Sequence, residues 1–344
     1  MDSYLYLVTG ICVVALTSYD VIYTTFARGA GIVTDIVTTF VWKGVGLFCK
    51  ITKSKSVLNG AGIITVCSLL IIWVMLLWVG NTLIFMSDSD AVVNSTTNVP
   101  ADFKERIYFT GYILSTMGNG DFKGGTDAWR IYSSFISFSG LILITIAISY
   151  IVPVLSAIIT QRTVSIKIAA IGDSPQQILL NNWDGESFKR LEVHLEGLDQ
   201  DIIQQGQLHL AYPVLHYFHN DEKKVSLVPN LAALDEALTL LLLYVPEDLH
   251  PGKQYIVPVR KAITSFLESV TKIFINSDGS EAPNMDFSEL PKAGVPLRQP
   301  SLKEIEQLEL RRQILKAMVN NDGWSWEQLC DPAFKNELDL PSVN

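Results

Sequence analysis

Residues Ile113–Phe122 read ILSTMGNGDF. Two glycines flank one polar residue, with a threonine before them and an aspartate after. Alone, the string is a glycine turn or a backbone built to hold an ion; its neighbours decide. Immediately before it lies Lys104–Ser115 (KERIYFTGYILS), a mostly apolar segment of about 12 residues. Crossing ~30 Å of hydrocarbon takes roughly 20 helical residues, so this length suits a helix that enters halfway and stops. On either side stand two longer apolar runs, Gly60–Met86 and Trp129–Ile159. Non-helical backbone at membrane depth is tolerated only where it is buried in protein or lines a watery path. The order helix, half-helix, glycine strand, helix therefore has a physical meaning.

A third long apolar run, Tyr4–Phe26, precedes these two. The start Met1-Asp2-Ser3 lacks the basic residues and small-residue cleavage site of a signal peptide, so this run is expected to be a retained helix. Of the 344 residues, 49% are hydrophobic and 18% charged, and most of the charge lies after the three runs. That asymmetry predicts a membrane part followed by a soluble part. The net charge of −9 argues against nucleic acid as a partner. Cys12, Cys49, Cys67 and Cys330 are far apart and are read as free thiols.

Arg28, Lys43, Lys50, Lys53 and Lys55 fall between the first two runs. Asp88, Asp90, Asp102, Glu105, Asp121 and Asp127 crowd the segment between the second and third. The basic loop belongs inside, which puts the N-terminus outside and the C-terminal part in the cytosol, at a plasma membrane of bacterial type. The triplet Asn94-Ser95-Thr96 on the outer side is a glycosylation sequon or a plain polar triplet. Ile32, Val33, Ile36, Val37, Phe40 and Val41 recur at helical spacing, as in an interfacial helix or a short connector.

The segment around the glycines resembles the pore of tetrameric potassium channels with a two-span module. Their filter reads T-[VIL]-G-[YF]-G-[DN]; here it reads Thr116-Met117-Gly118-Asn119-Gly120-Asp121. Tyr108-Phe109 matches the aromatic doublet of their pore helix, and Gly140 stands where their inner helix often has a hinge. The resemblance covers about residues 57–162. It implies that carbonyls of Thr116, Met117, Gly118, Asn119 and Gly120 replace the water around a permeant K+, with Asp121 at the outer mouth. One filter per chain implies a homotetramer in the lipid bilayer. Asn119 departs from the family's aromatic residue, which leaves a non-selective cation pore as the alternative. Tyr112, one turn before Thr116, is placed to pack behind the filter. Gly140 is a hinge or a close-packing glycine. Pro153 shapes a gate or marks where the helix leaves the bilayer. Asp20 is an acid inside a span: functional, or hydrated or paired near Arg28.

The expected fold is thus an all-α membrane protein, with three spans, a re-entrant pore helix and a mainly helical cytosolic domain. The expected parts are a first helix (1–28), an interfacial segment (29–56), the pore (57–162), a cytosolic domain (163–275), a Pro/Gly/Ser-rich linker (276–300) and a final helix and tail (301–344). Ser301 and Glu304 form a capping-box pattern before a helix expected over Leu302–Val319. Ile305, Leu308, Leu315 and Val319 form its apolar stripe, and Trp324 and Trp326 are expected to dock. No GxGxxG fingerprint occurs, so a nucleotide-binding regulatory domain is not indicated. An unknown regulatory ligand at the cytosolic domain is left open, with no organic cofactor expected. His209, His216 and His219 lack the spacing of a metal set. No nucleophile–base pair or paired carboxylates stand out, so no enzyme is expected.

Overall fold

The computed structural model describes residues 2–27, 29–52, 60–274, 281–284 and 286–330. The chain divides into two compact units, one holding residues 1–52 and 61–155 and the other running from 156 onward.

The first unit contains α1 (Asp2–Phe26), α2 (Ile32–Thr52), α3 (Ala61–Met86), a short strand β1 (Val92–Asn94), α4 (Phe103–Leu114), β2 (Phe122–Gly124) and the greater part of α5 (Asp127–Ala169). α3 is apolar all round and lies at the centre, with Leu69, Trp73, Leu77 and Phe85 buried among α1, α4 and α5. α1 crosses α3 where Gly10 meets Gly80; a Cβ on Gly10 would sit 2.7 Å from the Gly80 carbonyl oxygen. Only glycine lets two helix backbones come that close. α2 has the helical spacing expected of it. Its Val33 and Val37 pack on the core, while Ile32, Ile36 and Phe40 face outward as an apolar stripe.

α1, α3, α5 and α9 (Leu227–Tyr244) are each long and apolar enough to cross a membrane. Burial separates them. The apolar windows of α1, α3 and α5 are only 22%, 33% and 28% buried, as helices facing lipid require, whereas that of α9 is 83% buried. α9 is the core helix of the second unit, so its apolarity is spent inside protein.

That unit continues with α6 (Pro175–Asn182), α7 (Leu191–Leu195), α8 (Leu198–Ala211), α9, α10 (Lys253–Phe274), α11 (Glu289–Lys292) and α12 (Leu302–Asn321). α12 begins at the capping box: Ser301 Oγ accepts from the Glu304 amide at 3.3 Å, and Glu304 accepts from the Ser301 amide at 2.8 Å. Its Leu315, Met318 and Val319 enter the core with Trp326, and Trp324 packs beside them. Two expectations are corrected. The membrane unit ends at residue 155 rather than 162. The described part of 276–300 is not a free linker: Ala282, Leu290 and Val295 sit in the same core. Prolines and glycines shape the local backbone there, but three apolar side chains suffice to seat it.

Candidate functional site

α4 is a half-span helix of 12 residues, displaced by one residue from the expected start. Asp102 and Glu105 close a capping box at its N-terminus, with bonds of 2.8 and 2.7 Å. The D-x-x-E pattern in the sequence is the local signal for this start. Arg106 follows directly after Glu105. Its guanidinium donates to the carbonyls of Phe85, Asp88, Ser89 and Ala101 at 2.6–3.0 Å. It thereby fixes the first turn of α4 to the C-terminal end of α3, satisfying carbonyls that the helix end leaves open. Trp78 donates to the Ile107 carbonyl at 2.9 Å, and its ring fills the space over Gly111.

The helix ends in a Schellman motif. The Thr116 amide donates to Ile113 O at 3.0 Å and the Met117 amide to Tyr112 O at 2.9 Å, with Thr116 at φ +62°. Glycine usually holds this left-handed position; a β-branched residue there is strained. Gly118 follows at φ +61° and Gly120 at +83°, while Met117 and Asn119 keep negative φ. Left-handed backbone thus falls at every second residue from 116 to 120. Alternating handedness is what lets successive carbonyls face one side. The two glycines were readable in advance; Thr116 was not.

Two tyrosines of α4 brace this strand. Asn119 Nδ2 donates to the Tyr108 hydroxyl, which donates to Asp121 Oδ2 at 3.1 Å. The Tyr112 hydroxyl donates to Phe122 O at 2.7 Å and accepts from the Phe122 amide at 3.3 Å. Edge-to-face ring contacts link Tyr108 to Tyr112, Tyr112 to Phe109, and Phe109 to Phe85, with centroids 5.2–5.3 Å apart. Phe109 is buried in the core, while Tyr108 is exposed on one side.

Beyond Asp121 the chain enters β2, which pairs antiparallel with β1 in the register Val93↔Lys123. This two-stranded ribbon was not expected. It anchors the C-terminal end of the glycine strand, aided by the Ser95 amide donating to Asp121 O at 2.9 Å. Asn94 is held in an Asx turn, accepting from the amides of Thr96 and Thr97. Asp88 accepts from the Asp90 amide and from Trp129 Nε1, and these bonds hold its carboxyl below the usual range.

Gly140 lies against the end of α4, where a Cβ would come 1.8 Å from Leu114 O. Close packing is therefore one observed use of this glycine. α5 remains helical through both Gly140 and Pro153.

Asp20 is fully buried. Its carboxylate accepts from the Val33 amide at 2.8 Å, the Thr34 amide at 3.2 Å, the Thr34 hydroxyl at 2.7 Å and Trp73 Nε1 at 2.9 Å. It caps α2 from another helix and ties α1, α2 and α3 together, so the reading of it as hydrated is corrected. Arg28, its expected partner, lies outside the described residues, as do Lys53 and Lys55 and the side chains of Cys49 and Lys50. Cys12 and Cys67 are exposed thiols.

In the second unit His209 bonds the Gln205 carbonyl at 2.9 Å, and His219 bonds Asp322 at 2.7 Å. No three His, Cys, Asp or Glu side chains converge as a metal set among the described residues.

Residues 69–157 match the family model described as ion channel. The chain is also similar to the uncharacterized membrane protein YdjJ of Bacillus subtilis (strain 168), with 29% identity over 326 residues, covering 93% of this chain and 95% of that protein. No solved structure matches.

Proposed function

We propose that four copies of this chain assemble around one axis as a potassium-selective channel, a reading supported by the match of residues 69–157 to the ion-channel family model and by the similarity of the chain to a membrane protein. The observation that carries this reading is the left-handed backbone at Thr116, Gly118 and Gly120, leaving the end of a half-span helix. Four such strands surround a permeant cation with carbonyls that replace its hydration shell. The C-terminal end of α4 directs its partial negative charge toward the cavity beneath. Asp121 and the other outer acids concentrate cations at the mouth. The basic segment between α1 and α3 faces the cytosol, and so does the second unit, which regulates or assembles the pore.

Potassium selectivity requires the filter to keep its width. Asn119 supplies no ring, but its amide is held by Tyr108, and Tyr112 holds the backbone three positions past it. These bonds support a rigid filter built with polar contacts. The protein in a planar bilayer, with potassium on one side and sodium on the other, should reverse near the potassium equilibrium potential. The second reading rests on the absence of an aromatic residue at 119, and it predicts reversal near zero with clear current.

Gly118→Ala tests the filter itself. Nothing lies within 4 Å of a Cβ at Gly118, so the substitution acts through backbone alone. A left-handed conformation costs an L-residue about 1–2 kcal/mol, paid in each of four chains. Conduction should be lost or strongly reduced. Unchanged current would place the ion path elsewhere.

A further inference from the structure

A cleft of about 1110 Å³ opens in the second unit between α10, α12 and the end of α9. Ligand pockets usually span roughly 300–1,000 Å³, so it can hold an organic molecule. Leu242, Ile256, Val257 and Leu308 supply apolar wall. The cations that line it are unevenly matched. Lys253 pairs with Glu247 at 2.6 Å and Arg298 with Glu304 at 2.8 Å. Arg260 and Arg311 share one acid, Asp235, at 3.0 and 2.7 Å. Asp235 is fully buried, while the two arginines are 14% and 16% exposed. Arg311 spends its fork on Asp235 and its remaining nitrogen on Thr264. Arg260 uses Nη1 for Asp235 and Thr239. Lys261 has no ion-pair partner among the described residues.

Arg260 therefore shares its carboxylate with a second guanidinium, with Glu236 acting on it only at longer range, and the next residue of α10, Lys261, has no ion-pair partner among the described residues. Both cations stand in a chain whose net charge is −9. A nearly buried guanidinium that must share its acid is costly, and a bound anion lowers that cost for Arg260, while the exposed Lys261 offers a second positive charge on the same cleft wall. Burial already pushes the Arg260 guanidinium below its ordinary pKa.

We propose that this cleft binds a small phosphorylated organic molecule, its phosphates on Arg260 and Lys261 and its body on the apolar wall. Arginine and lysine are both phosphate binders, one as a fork and one as a point charge. Two cations at successive positions favour a ligand that can present an anionic oxygen to each of them.

The test is binding to the full-length protein in nonionic detergent at low salt, read by calorimetry without any current. That readout stands or falls independently of whether the pore conducts. Fructose 1,6-bisphosphate and inorganic tripolyphosphate are the probes. Both should bind, and Lys261→Glu should weaken them by about tenfold or more. Lys189→Glu, at an exposed lysine that does not line the cleft, should leave binding unchanged. Lys261 is exposed, so its variant tests the site without endangering the fold; Arg260→Gln should behave likewise if folded. No binding by either probe at 10-fold the concentration of a weak, roughly millimolar site overturns the proposal. So does equal binding by wild type and Lys261→Glu. If a short-chain phosphatidic acid binds while both soluble probes fail, the occupant is a lipid headgroup and the small-molecule assignment is overturned.

Discussion

Tyr108→Phe removes a single oxygen per chain and keeps the ring that packs on Tyr112 and Phe122. Two hydrogen bonds go with it, from Asn119 and to Asp121. A net hydrogen bond contributes about 0.5–1.5 kcal/mol, more when one partner is charged. Both bonds face the solvent-exposed side of the strand, so about 1 kcal/mol per chain is a fair total after screening. If only one chain's share separates potassium from sodium, the permeability ratio falls about fivefold; if all four shares do, about a thousandfold. A tenfold change in ratio moves a monovalent reversal potential by about 59 mV, so the smallest expected shift is about 40 mV. The assay is the two-cation reversal potential, wild type against variant, with single-channel current recorded to show that the pore still conducts. Normal current with a potential within a few millivolts of wild type would refute the polar brace as the source of filter width.

Gly140→Ala places a methyl group inside the van der Waals radius of Leu114 O. Overpacking of this kind costs about 1–3 kcal/mol, and here it displaces the base of the filter. Altered conductance together with a lower melting temperature is expected; an unchanged channel would show that α5 has slack at this point. Asp20→Ala leaves the amides of Val33 and Thr34 and the Trp73 indole buried without their acceptor. At about 1–3 kcal/mol for each orphaned group, the loss should reach at least ~3 kcal/mol, with Asp20→Asn milder because one acceptor oxygen remains. Thermal unfolding in detergent measures it. The third concerns pH. Burial, with His219 and His209 nearby, lowers the pKa of His216 to about 3. The unfolded chain takes up this proton at its ordinary value near 6.5 while the folded chain does not. Stability contributed by His216 is therefore full above pH 6.5 and is lost as pH falls toward 3. His216→Phe should flatten the stability profile across that window; an unchanged slope would assign the acid sensitivity to other groups.

The membrane unit was largely legible. Crossing a bilayer demands length and apolarity, and Tyr4–Phe26, Gly60–Met86 and Trp129–Ile159 show both without any help from tertiary contacts. The same rule misleads at α9, whose hydropathy is that of a span. Periodicity cannot tell lipid from a protein interior, and only the packing of α6, α10 and α12 around it decides. The linker expectation failed for a related reason. Composition reports local flexibility, whereas Ala282, Leu290 and Val295 are held by a core formed elsewhere.

Sequence alone determined the half-span helix, the glycine strand and the three long apolar runs of the membrane unit, because these follow from local geometry and from the thickness of hydrocarbon. Tertiary structure alone decided what the strand leans on. Thr116 takes a glycine's conformation because the end of α4 imposes it, Asn119 finds its partner 11 residues back on α4, and Asp20 reaches a donor 53 residues away on α3. The shared acid of the cleft likewise emerges only when α9, α10 and α12 bring two arginines to one aspartate. Such pairings depend on side chains that are distant along the chain, and no local pattern records them.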